Sequence, residues 1–462
     1  MTTHSPNNFH QSYQAALKDP TLQKALSHAQ SGFVEKRAYA IATVDDFEHL
    51  KKCAQDVKQR SLANLGNLLE NFEHNVIDSG GHVHWASSAQ ELNQQVIEIC
   101  SAANAQHIIK GKSMIGEEAN LNAAMEEAGF TLVESDLGEY IIQLAGEPPS
   151  HIIAPAIHKT RQQVSDLFKQ YHDLGERGLD LISDLVNEAR QVLREAFLNA
   201  DVGITGANLL VAENGSVGIV TNEGNGDLSA TLPDVHIVVT SIEKVVATME
   251  DAADILEVLA RSATGQHMSA YTSFFNGSKR TTDADGPSQF HVILLDNGRS
   301  NLLNGPFEPM LNCIKCGACL NHCPVYTNVG GHAYGWVYPG PMGSILTPLL
   351  KGLDNATPLP NASTFCGRCE EVCPMGIPLP RMLRTLREEQ HHQHLDPLAW
   401  RFGLSIYSWL LQHPELYGRA IALMRGALKF MPKALRPSQR RLPDVQGDAT
   451  FMSQWQKNRR GK

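Results

Sequence analysis

The chain has 462 residues, of which 42% are hydrophobic and 19% charged, and its formal net charge is −10. This composition is typical of a folded globular protein and excludes a disordered or collagen-like chain. A chain of this length favours roughly two to four domains. The N-terminal stretch lacks the apolar core of a secretory signal, and no run approaches the ~20 apolar residues that cross a bilayer, so we expect a cytoplasmic protein.

The charge is unevenly distributed along the chain. From residue 376 to the end there are 15 Lys and Arg against 6 Asp and Glu, whereas the rest of the chain has 24 against 43. This asymmetry favours a tail that docks on an acidic partner or makes a peripheral contact at the inner face of a membrane. A solvated basic helix face explains the same charges.

The predicted elements begin with a helical lead over residues 1–75, where apolar residues are spaced three and four apart. From residue 82 on, short apolar stretches that predict strands alternate with amphipathic stretches that predict helices. The predicted strands are 82–86, 107–110, 131–136, 151–155 and 236–241, and the predicted helices include 89–105, 117–129 and 179–200. This alternation predicts one α/β domain with a mostly parallel sheet over residues 76–303.

Two Asn-Gly pairs predict hairpins within this domain, since both residue types tolerate positive φ. The first pair, Asn214-Gly215, follows Glu213 between two apolar strands in residues 208–222, and the second is Asn297-Gly298 within residues 290–303. From residue 305 on, no strand is predicted. Helices are expected at 344–353, 381–390, 401–412 and 418–431.

Cysteine usage is the most informative feature of the composition. Of nine cysteines, Cys53 and Cys100 lie alone in predicted helices, where we expect small core residues. The other seven lie between Cys313 and Cys373. Because a disulfide scaffold would be short and rich in cysteine throughout, this clustering predicts a metal or catalytic site instead.

The first cysteine motif is C-x2-C-x2-C-x3-C-P, formed by Cys313, Cys316, Cys319, Cys323 and Pro324. This spacing is typical of bacterial iron–sulfur proteins, in which three close thiolates bind one [4Fe–4S] cluster and the fourth reaches a neighbouring cluster. Thiolates suit both iron–sulfur clusters and zinc. A zinc site would leave the third short spacing and the Cys-Pro pair unexplained, so the motif favours a cluster.

The second motif, "STFCGRCEEVCP", has three cysteines instead of four. When it is aligned from Cys373 and Pro374 backwards, the first ligand position falls on Ser363. The crossing of fourth ligands then assigns one cluster to Cys313, Cys316, Cys319 and Cys373, and the other to Cys323, Cys366 and Cys369. The sequence therefore predicts two iron–sulfur clusters, only one of them with four thiolates.

Several arrangements fit the position without a cysteine. Ser363 or a residue from elsewhere completes a [4Fe–4S] cluster, one iron stays open, or the cluster is of the [3Fe–4S] type. Ser363 could instead cap a helix while another cysteine or histidine is the ligand. Because ligand set and charge tune the potential, the two clusters are expected to differ in potential.

The 42 residues between Cys323 and Cys366 are too many for a compact two-hairpin ferredoxin. Flanking predicted helices favour an α-helical dicluster domain over residues 304–395, followed by a basic helical tail over 396–462. Within the long connection, His332, Tyr334 and Trp336 are candidates to line or tune a cluster.

The chain has no visible dinucleotide site. We find no G-x-G-x-x-G opening a helix after a strand, and the "GKS" at 111–113 lacks the glycine of a phosphate loop, since position 106 is glutamine. Electron-carrying centres without a hydride acceptor predict a protein that relays electrons for a partner.

Several long stretches together resemble the lactate utilisation protein B family, the iron–sulfur subunit of the L-lactate utilisation complex. They cover nearly the whole chain in order: "KSMIGEE", "ESDLGEYIIQLAGEPPSHIIAPAIHKTR", "GITGANLLVAENGSVGIVTNEGNG", "CIKCGACLNHCPVY", "GGHAYGWVYPGPMG" and "CGRCEEVCPMGIPLP". The resemblance implies a LUD domain, similar in fold to the CoA-transferase and ribose-phosphate isomerase group, then a 4Fe–4S dicluster domain and a family-specific tail.

The resemblance also implies a function. The chain would be the electron-transfer subunit of an oxidoreductase complex that converts L-lactate to pyruvate. A CCG-domain iron–sulfur subunit and a LUD-only subunit would be its partners, with a quinone or a soluble carrier as electron acceptor and no nucleic acid. The family's cluster ligands fall on the seven cysteines named above, and the family shares the missing eighth cysteine.

Other polar residues near predicted strand ends are candidates for a ligand site, because α/β sheets bind ligands there. Helix caps and surface pairs explain such residues equally well; the candidates are Lys112, Glu118, His151, His158 and Glu223. An alternative function is a CoA-transferase-like enzyme with structural or regulatory clusters. In it, Glu213 of "AENG", similar to a segment of some CoA transferases, would act as a covalent nucleophile.

Overall fold

The computed structural model describes residues 5–430, 454–455 and 458–459. It divides into two compact units, Met1–His392 and Gln393–Lys462. The first unit contains every described strand and all nine cysteines. Much of the predicted basic tail, residues 431–453, lies outside the described residues.

Four helices precede the first strand, as the apolar spacing predicts. They are α1 Phe9–Ala16, α2 Pro20–Ala42, α3 Phe47–Ala63 and α4 Leu65–Asp78. Aspartates fix two of the starts, because a carboxylate satisfies backbone N–H groups that have no partner within the helix. Asp19 accepts hydrogen bonds from the first turn of α2, and Asp46 does the same for α3.

The region that follows alternates strands and helices. Its strands are β1 His82–Ala86, β2 His107–Lys110, β3 Thr131–Glu134, β4 Val202–Thr205, β5 Leu209–Val211, β6 Ser216–Thr221, β7 Val235–Ser241, β8 Val245–Val246, β9 Tyr271–Phe275 and β10 Gln289–Leu295. Its helices are α5 Ala89–Ala102, α6 Met114–Glu118, α7 Leu121–Glu127, α8 Leu137–Ala145, α9 Arg161–Tyr171, α10 Ile182–Leu198, α11 Asn225–Thr231 and α12 Met249–Ala263. The predicted α/β class is confirmed.

The strands form two sheets. Six of them make a parallel sheet in the order β1-β10-β7-β4-β2-β3. The other four make a sheet in the order β8-β5-β6-β9, in which β8 is parallel to β5 and the remaining neighbours are antiparallel. The carboxyl ends of β2 and β4 therefore meet at one edge, where Lys110 pairs in register with Ile204.

The six-stranded sheet is buried on both faces, as apolar runs in a parallel sheet require. All seven residues of β7 are buried, and their side chains alternate between the faces. Ile237 and Val239 pack in one core with Val96 of α5, whereas Val238 packs in a second core with Phe72 of α4. The N-terminal helices therefore contribute directly to the core of the α/β region.

One of the two predicted hairpins is present. Strands β5 and β6 pair in antiparallel register around Gly215, whose φ of 71° supports the tight turn. The predicted hairpin at Asn297-Gly298 is wrong. Both residues have positive φ, but β10 ends there and the chain continues into a 3₁₀ turn at Ser300–Leu302. The Asn297 side chain binds Glu118 instead of supporting a returning strand.

The predicted strand at 151–155 is also wrong. This segment forms turns between α8 and α9, held by its own side chains. The His151 ring accepts hydrogen bonds from the N–H groups of Ile153 and Ala154 at 3.0 and 3.1 Å, and Ser150 N–H donates to the carbonyl of Pro155. These local bonds use the backbone groups that a strand would need for pairing.

After β10 the described residues contain no strand, as predicted. The helices of the first unit there are α13 Ala318–Asn321, α14 Tyr326–Val329, α15 Gly340–Lys351, α16 Arg368–Glu371 and α17 Leu379–His392. A 3₁₀ turn at Glu308–Asn312 leads directly into the first cysteine motif.

The second unit has two described helices, α18 Leu398–Leu411 and α19 Pro414–Phe430. Helix α18 has no buried residue. Its exposed large apolar side chains are Leu398, Trp400, Phe402, Leu404, Ile406, Tyr407, Trp409 and Leu411. No helix among the described residues is both long and apolar enough to span a membrane.

Candidate iron–sulfur site and adjoining cavity

The first cysteine motif wraps tightly because two of its residues have positive φ. Lys315, just before Cys316, has φ 57°, and Gly317, just after it, has φ 74°. Gly317 is the N-cap of α13, which carries Cys319. A Cβ at Gly317 would lie 3.2 Å from the Ile153 side chain, so glycine also allows the motif to pack against the α/β region.

The second motif follows the same local path. Phe365, with φ 54°, precedes Cys366, and Gly367, with φ 81°, follows it and is the N-cap of α16, which carries Cys369. This correspondence supports the alignment that places Ser363 at the position of the leading cysteine of the first motif. Sequence spacing and backbone conformation therefore agree on the register of the two copies.

One group of thiols combines both motifs. Cys313, Cys316, Cys319 and Cys373 line one small cavity. Burial raises the pKa of Cys316 to about 12, with contributions from Cys373 and Cys313, and that of Cys373 to about 11, with a contribution from Cys313. Burial also raises the pKa of Cys319 well above its usual range, with contributions from Cys313, Cys316 and Cys373. We call these four residues the first thiol group.

The surroundings of the first thiol group are mostly apolar, with Lys315 as the charged side chain among the described residues that line its cavity. The other side chains that line its cavity include Ile152, Met310, Ile314, Met342, Met375, Ile377 and Leu379. No carboxylate or imidazole lines it among the described residues. Four soft sulfur donors in a mostly apolar shell fit an iron–sulfur cluster, since thiolates are its usual ligands and an apolar shell limits solvent access.

The remaining cysteines form the second thiol group, Cys323, Cys366 and Cys369. Burial raises the pKa of Cys369 to about 12, with contributions from the thiols of Cys323 and Cys366. Burial likewise raises the pKa of Cys323, with a contribution from Cys366. Cys323 and Cys369 are buried, whereas Cys366 is exposed. The second group therefore has an edge at the protein surface.

Ser363 caps no helix, because α16 begins only after Gly367. Its hydroxyl accepts a hydrogen bond from the Phe365 N–H at 3.1 Å and so forms a local turn. This turn accounts for a serine at the position without excluding it as a ligand. The two cysteines outside the motifs differ from each other: Cys100 is buried as expected, whereas Cys53 is half-buried and contacts His49 at 3.6 Å.

Tyr334 lies near both thiol groups. It is fully buried, and its hydroxyl has no hydrogen-bond partner among the described residues. Burial raises its pKa well above the usual range, and Cys323 and Cys319 contribute to the shift. His332 donates from Nε2 to the carbonyl of Pro148 at 2.8 Å, and its ring packs edge-on against His158. Trp336, the third of these candidates, packs on the Tyr338 ring and on the ammonium group of Lys351.

A cavity of about 590 Å³ adjoins the first thiol group. It lies at the carboxyl ends of β2 and β4, which is where α/β sheets bind ligands. Residues 111–113 and 205–208 line it from the sheet, α12 covers it, and residues 313–315 close it from the first cysteine motif. Cys313 thus belongs both to the first thiol group and to this cavity.

Two of the five predicted polar candidates line the cavity, Lys112 and Glu223. The Lys112 ammonium group pairs with Glu139 at 3.0 Å and donates to the Ile153 carbonyl at 2.8 Å. Glu223 lies at the exposed rim, and burial together with Asp136 raises its pKa. Part of the cavity wall therefore consists of polar residues near strand ends, as predicted.

The other three candidates hold the structure together outside the cavity. Glu118 is buried; it accepts hydrogen bonds from Asn297 at 2.8 Å, from Arg299 at 2.9 and 2.7 Å, and from Tyr338 at 2.7 Å. Burial alone would raise its pKa, but Arg299 lowers it below the usual value. Because Tyr338 lies beyond the first motif, this carboxylate joins the α/β region to the cysteine-rich region.

His151 makes a second connection between these regions. Its Nδ1 accepts backbone N–H groups, so Nε2 carries the proton and donates to the Asn321 side chain of α13 at 3.0 Å. Burial lowers the pKa of His151 to about 4, which keeps the ring neutral. A buried neutral histidine of this kind positions the first motif and has no acid–base role at neutral pH.

His158 pairs with Glu147 at 2.6 Å, and Lys159 pairs with the other oxygen of the same carboxylate. Burial raises the pKa of Glu147, but hydrogen bonds from His158 and Lys159 lower it to about 2. Glu147, His158 and His332 offer three possible metal-ligand atoms that lie within 4.8 Å of one another. Lys159 already occupies the carboxylate, so a cation would have to displace it.

Sequence reasoning missed three lysines of the cavity, Lys58, Lys244 and Lys315. They come from α3, from the residues after β7 and from between two cysteines. Burial lowers the pKa of Lys58 and Lys244 to about 8; Glu243 opposes this shift in both, and Lys315 contributes to it. The only signal in the sequence is the position of Lys315 within the motif itself.

Glu213 does not line the cavity. It is exposed at the β5–β6 turn, and its carboxylate accepts the N–H of Met249 at 2.7 Å at the start of α12. It therefore stabilises a helix start. The proposed nucleophile of the CoA-transferase alternative therefore lies outside both cavities described here.

The parallel-sheet domain and the paired cysteine motifs define a class of protein. The LUD domain family matches residues 69–295, and the 4Fe–4S dicluster domain family matches residues 309–377. The chain thus combines a LUD domain with a 4Fe–4S dicluster domain that binds iron–sulfur clusters. The predicted order of the two domains is confirmed.

Curated relatives extend this result over most of the chain. The chain is 40% identical to Lactate utilization protein B of Lysinibacillus sphaericus (92% of this chain, 89% of that protein) and 41% identical to that of Shouchella clausii (87% and 86%). It is 42% identical to Lactate utilization protein B of Geobacillus sp. (82% and 80%). The chain belongs to the lactate utilization protein B family, as the resemblance predicts.

A crystal structure of a DUF162 family protein from Deinococcus radiodurans is also similar, at 15% identity and a TM-score of 0.29. The match covers 50% of this chain and 98% of that protein.

Proposed function

We propose that this chain is the iron–sulfur electron-transfer subunit of a multi-subunit complex that oxidises L-lactate to pyruvate. The name of its relatives and the dicluster domain support this proposal. The observation that carries it is the interleaving of two distant segments, in which Cys373 joins the thiols of the first motif and Cys323 joins those of the second. A protein that shares ligands in this way holds two centres close together.

In this proposal each thiol group holds one cluster. The first has four thiolate ligands, Cys313, Cys316, Cys319 and Cys373; the second has Cys323, Cys366 and Cys369, with Ser363 at the position of the missing thiolate. When bound, such clusters take up and release electrons one at a time. The unequal donor sets support unequal potentials for the two centres.

The burial of the cysteines supports the proposal that one centre lies inside the protein and the other near its surface. Cys313 adjoins the large cavity, whereas Cys366 of the second group is exposed. A partner that exchanges electrons would therefore dock at the Cys366 surface. The proposed partners are a CCG-domain iron–sulfur subunit and a LUD-only subunit, with a quinone or a soluble carrier as final acceptor.

A peripheral contact with the inner face of a membrane is part of the proposal. Helix α18 exposes aromatic and aliphatic side chains along its length, and the chain from residue 376 on carries an excess of Lys and Arg. Apolar side chains that enter the interface and a basic charge that attracts anionic lipids together support such binding. Vesicles containing anionic lipid should bind the protein, and high salt should release it, since salt screens the attraction.

The test begins with protein purified without oxygen. It should show broad visible absorption that dithionite bleaches, and in the reconstituted complex L-lactate should bleach it as well. Deleting the gene should abolish growth on L-lactate. Colourless protein with stoichiometric zinc would contradict the cluster assignment, and bleaching by dithionite but not by L-lactate in the complex would contradict the substrate.

A further inference from the structure

The large cavity has no role in the function proposed above, although it reaches the first thiol group. We propose that it binds an organic anion of cofactor size, whose carboxylate or phosphate is held by Lys58, Lys244 and Lys315 beside Cys313. The binding itself is independent of lactate oxidation. Its consequence for the first cluster rests on the proposed electron-transfer function.

The charges around the three lysines leave a positive excess. Each lysine has a neutral partner: Lys58 donates to the carbonyl of Glu243, Lys244 donates to that of Ala207 at 2.5 Å, and Lys315 lies 4.8 Å from the Tyr338 ring. None makes a salt bridge with a carboxylate in the part of the chain that the structure describes. An acidic group from a ligand would give these lysines a charged partner on the cavity side.

The neighbouring carboxylates do not neutralise these lysines. Glu118 and Glu243 both pair with Arg299, at 2.7 and 3.1 Å. Leaving aside the first cluster, which Lys315 also borders, two negative charges face one arginine and three lysines. Buried positive charges of this kind are costly unless they are paired, and paired buried charges are the rule in proteins.

The rest of the cavity fits the organic part of such a ligand. Its volume of about 590 Å³ lies within the range of roughly 300–1,000 Å³ found for small-molecule and cofactor sites and exceeds the needs of a three-carbon acid. Apolar walls come from Ile141, Ile152, Ile219 and Leu259. Asn225, 6% exposed, also lines the cavity, and its amide oxygen has no hydrogen-bond partner among the described residues.

The same site gives the ligand an influence on the first cluster. Cys313 and Lys315 belong to both the cavity wall and the cysteine motif, so a bound anion adds negative charge next to the thiol group. Reduction of a cluster also adds negative charge, and the two oppose each other. The anion should therefore bind more weakly to the reduced protein, and a tenfold difference corresponds to a fall of about 59 mV in the potential.

The experiment uses the full chain with its clusters, without oxygen, and three probes: FMN, pyruvate and L-lactate. Binding is measured by calorimetric titration. Lys244→Gln removes one charge from the site, and Ala263→Leu narrows the cavity from α12 without changing charge. Lys169→Gln, on the exposed surface of α9, is the matched control. Unchanged cluster absorption verifies that each variant is folded.

The proposal predicts that FMN binds the wild type and Lys169→Gln equally, and at least tenfold more weakly to Lys244→Gln and Ala263→Leu. If only pyruvate and L-lactate bind, and Lys244→Gln but not Ala263→Leu weakens their binding, the anion site is supported. The proposal that the ligand has the size of a cofactor would then be wrong. Binding of no probe, or equal binding to Lys244→Gln and Lys169→Gln, would overturn the proposal. Because titration needs no lactate oxidation, this result is separate from that of the proposed function.

Discussion

Replacing Glu118 should destabilise the protein strongly, although Glu118 touches no thiol group. The carboxylate accepts four hydrogen bonds from three side chains, and both it and Arg299 are almost fully buried. In Glu118→Gln, an NH2 group replaces one carboxylate oxygen. This group cannot accept the hydrogen bonds that the oxygen accepts and would face their donors with donors of its own. Arg299 would keep only Glu243, at 3.1 Å, as a charged partner.

The magnitude follows from the burial of the pair. Removing one partner of a buried ion pair costs about 3–5 kcal/mol, and the remaining Glu243 contact places Glu118→Gln near the lower value. Tyr338→Phe removes one of the four hydrogen bonds and should cost about 2 kcal/mol. Asp56→Asn breaks the exposed pair with Lys52, whose side chains are 41% and 63% exposed, and should cost less than about 1 kcal/mol.

The assay is equilibrium unfolding in urea without oxygen, followed by far-ultraviolet circular dichroism. The free energy of unfolding should fall in the order Asp56→Asn, Tyr338→Phe, Glu118→Gln. Cluster absorption before unfolding verifies that each variant starts from the loaded state. A Glu118→Gln variant as stable as Asp56→Asn would show that this network does not hold the two regions together.

Three further changes test the site. Tyr334→Phe removes a buried hydroxyl near both thiol groups. If this hydroxyl donates one hydrogen bond of about 1.4 kcal/mol to a cluster, its loss should lower the potential of that cluster by about 60 mV. Unchanged potentials in a redox titration would contradict this. Gly317→Ala should lower the free energy of unfolding by about 1–2 kcal/mol because of the positive φ, and by a further amount because the new Cβ crowds Ile153. Gly367→Ala has open space around its Cβ and should lose only the contribution from φ. Unfolding in urea measures both. Ser363→Cys should raise the iron content and change the paramagnetic signal of the second cluster, and no change would place the fourth ligand elsewhere.

The sheet and the cysteine register could be predicted because they depend on local patterns. Alternating apolar strands and amphipathic helices specify the βαβ units, and repeated spacing specifies the paired motifs. Predictions from local patterns were wrong where a side chain forms hydrogen bonds that the predicted element does not contain. His151 binds N–H groups that a strand would use, and Asn297 binds Glu118 instead of closing a hairpin.

The cavity could not be predicted, because its wall is assembled from distant segments. Lys58 comes from the helical lead, Lys244 follows β7, and Lys315 lies within the cysteine motif. Nothing in the spacing of these lysines marks them as neighbours. Their proximity follows from the packing of α3 and the first motif against one edge of the sheet.

The most direct test of the central claim is electron paramagnetic resonance during reductive titration of single cysteine variants. The account predicts that Cys373→Ala changes the same signal as Cys313→Ala, while Cys323→Ala changes the same signal as Cys369→Ala. If Cys373→Ala instead altered the signal affected by Cys369→Ala, each motif would bind its own cluster. The interleaving on which the account depends would then be wrong.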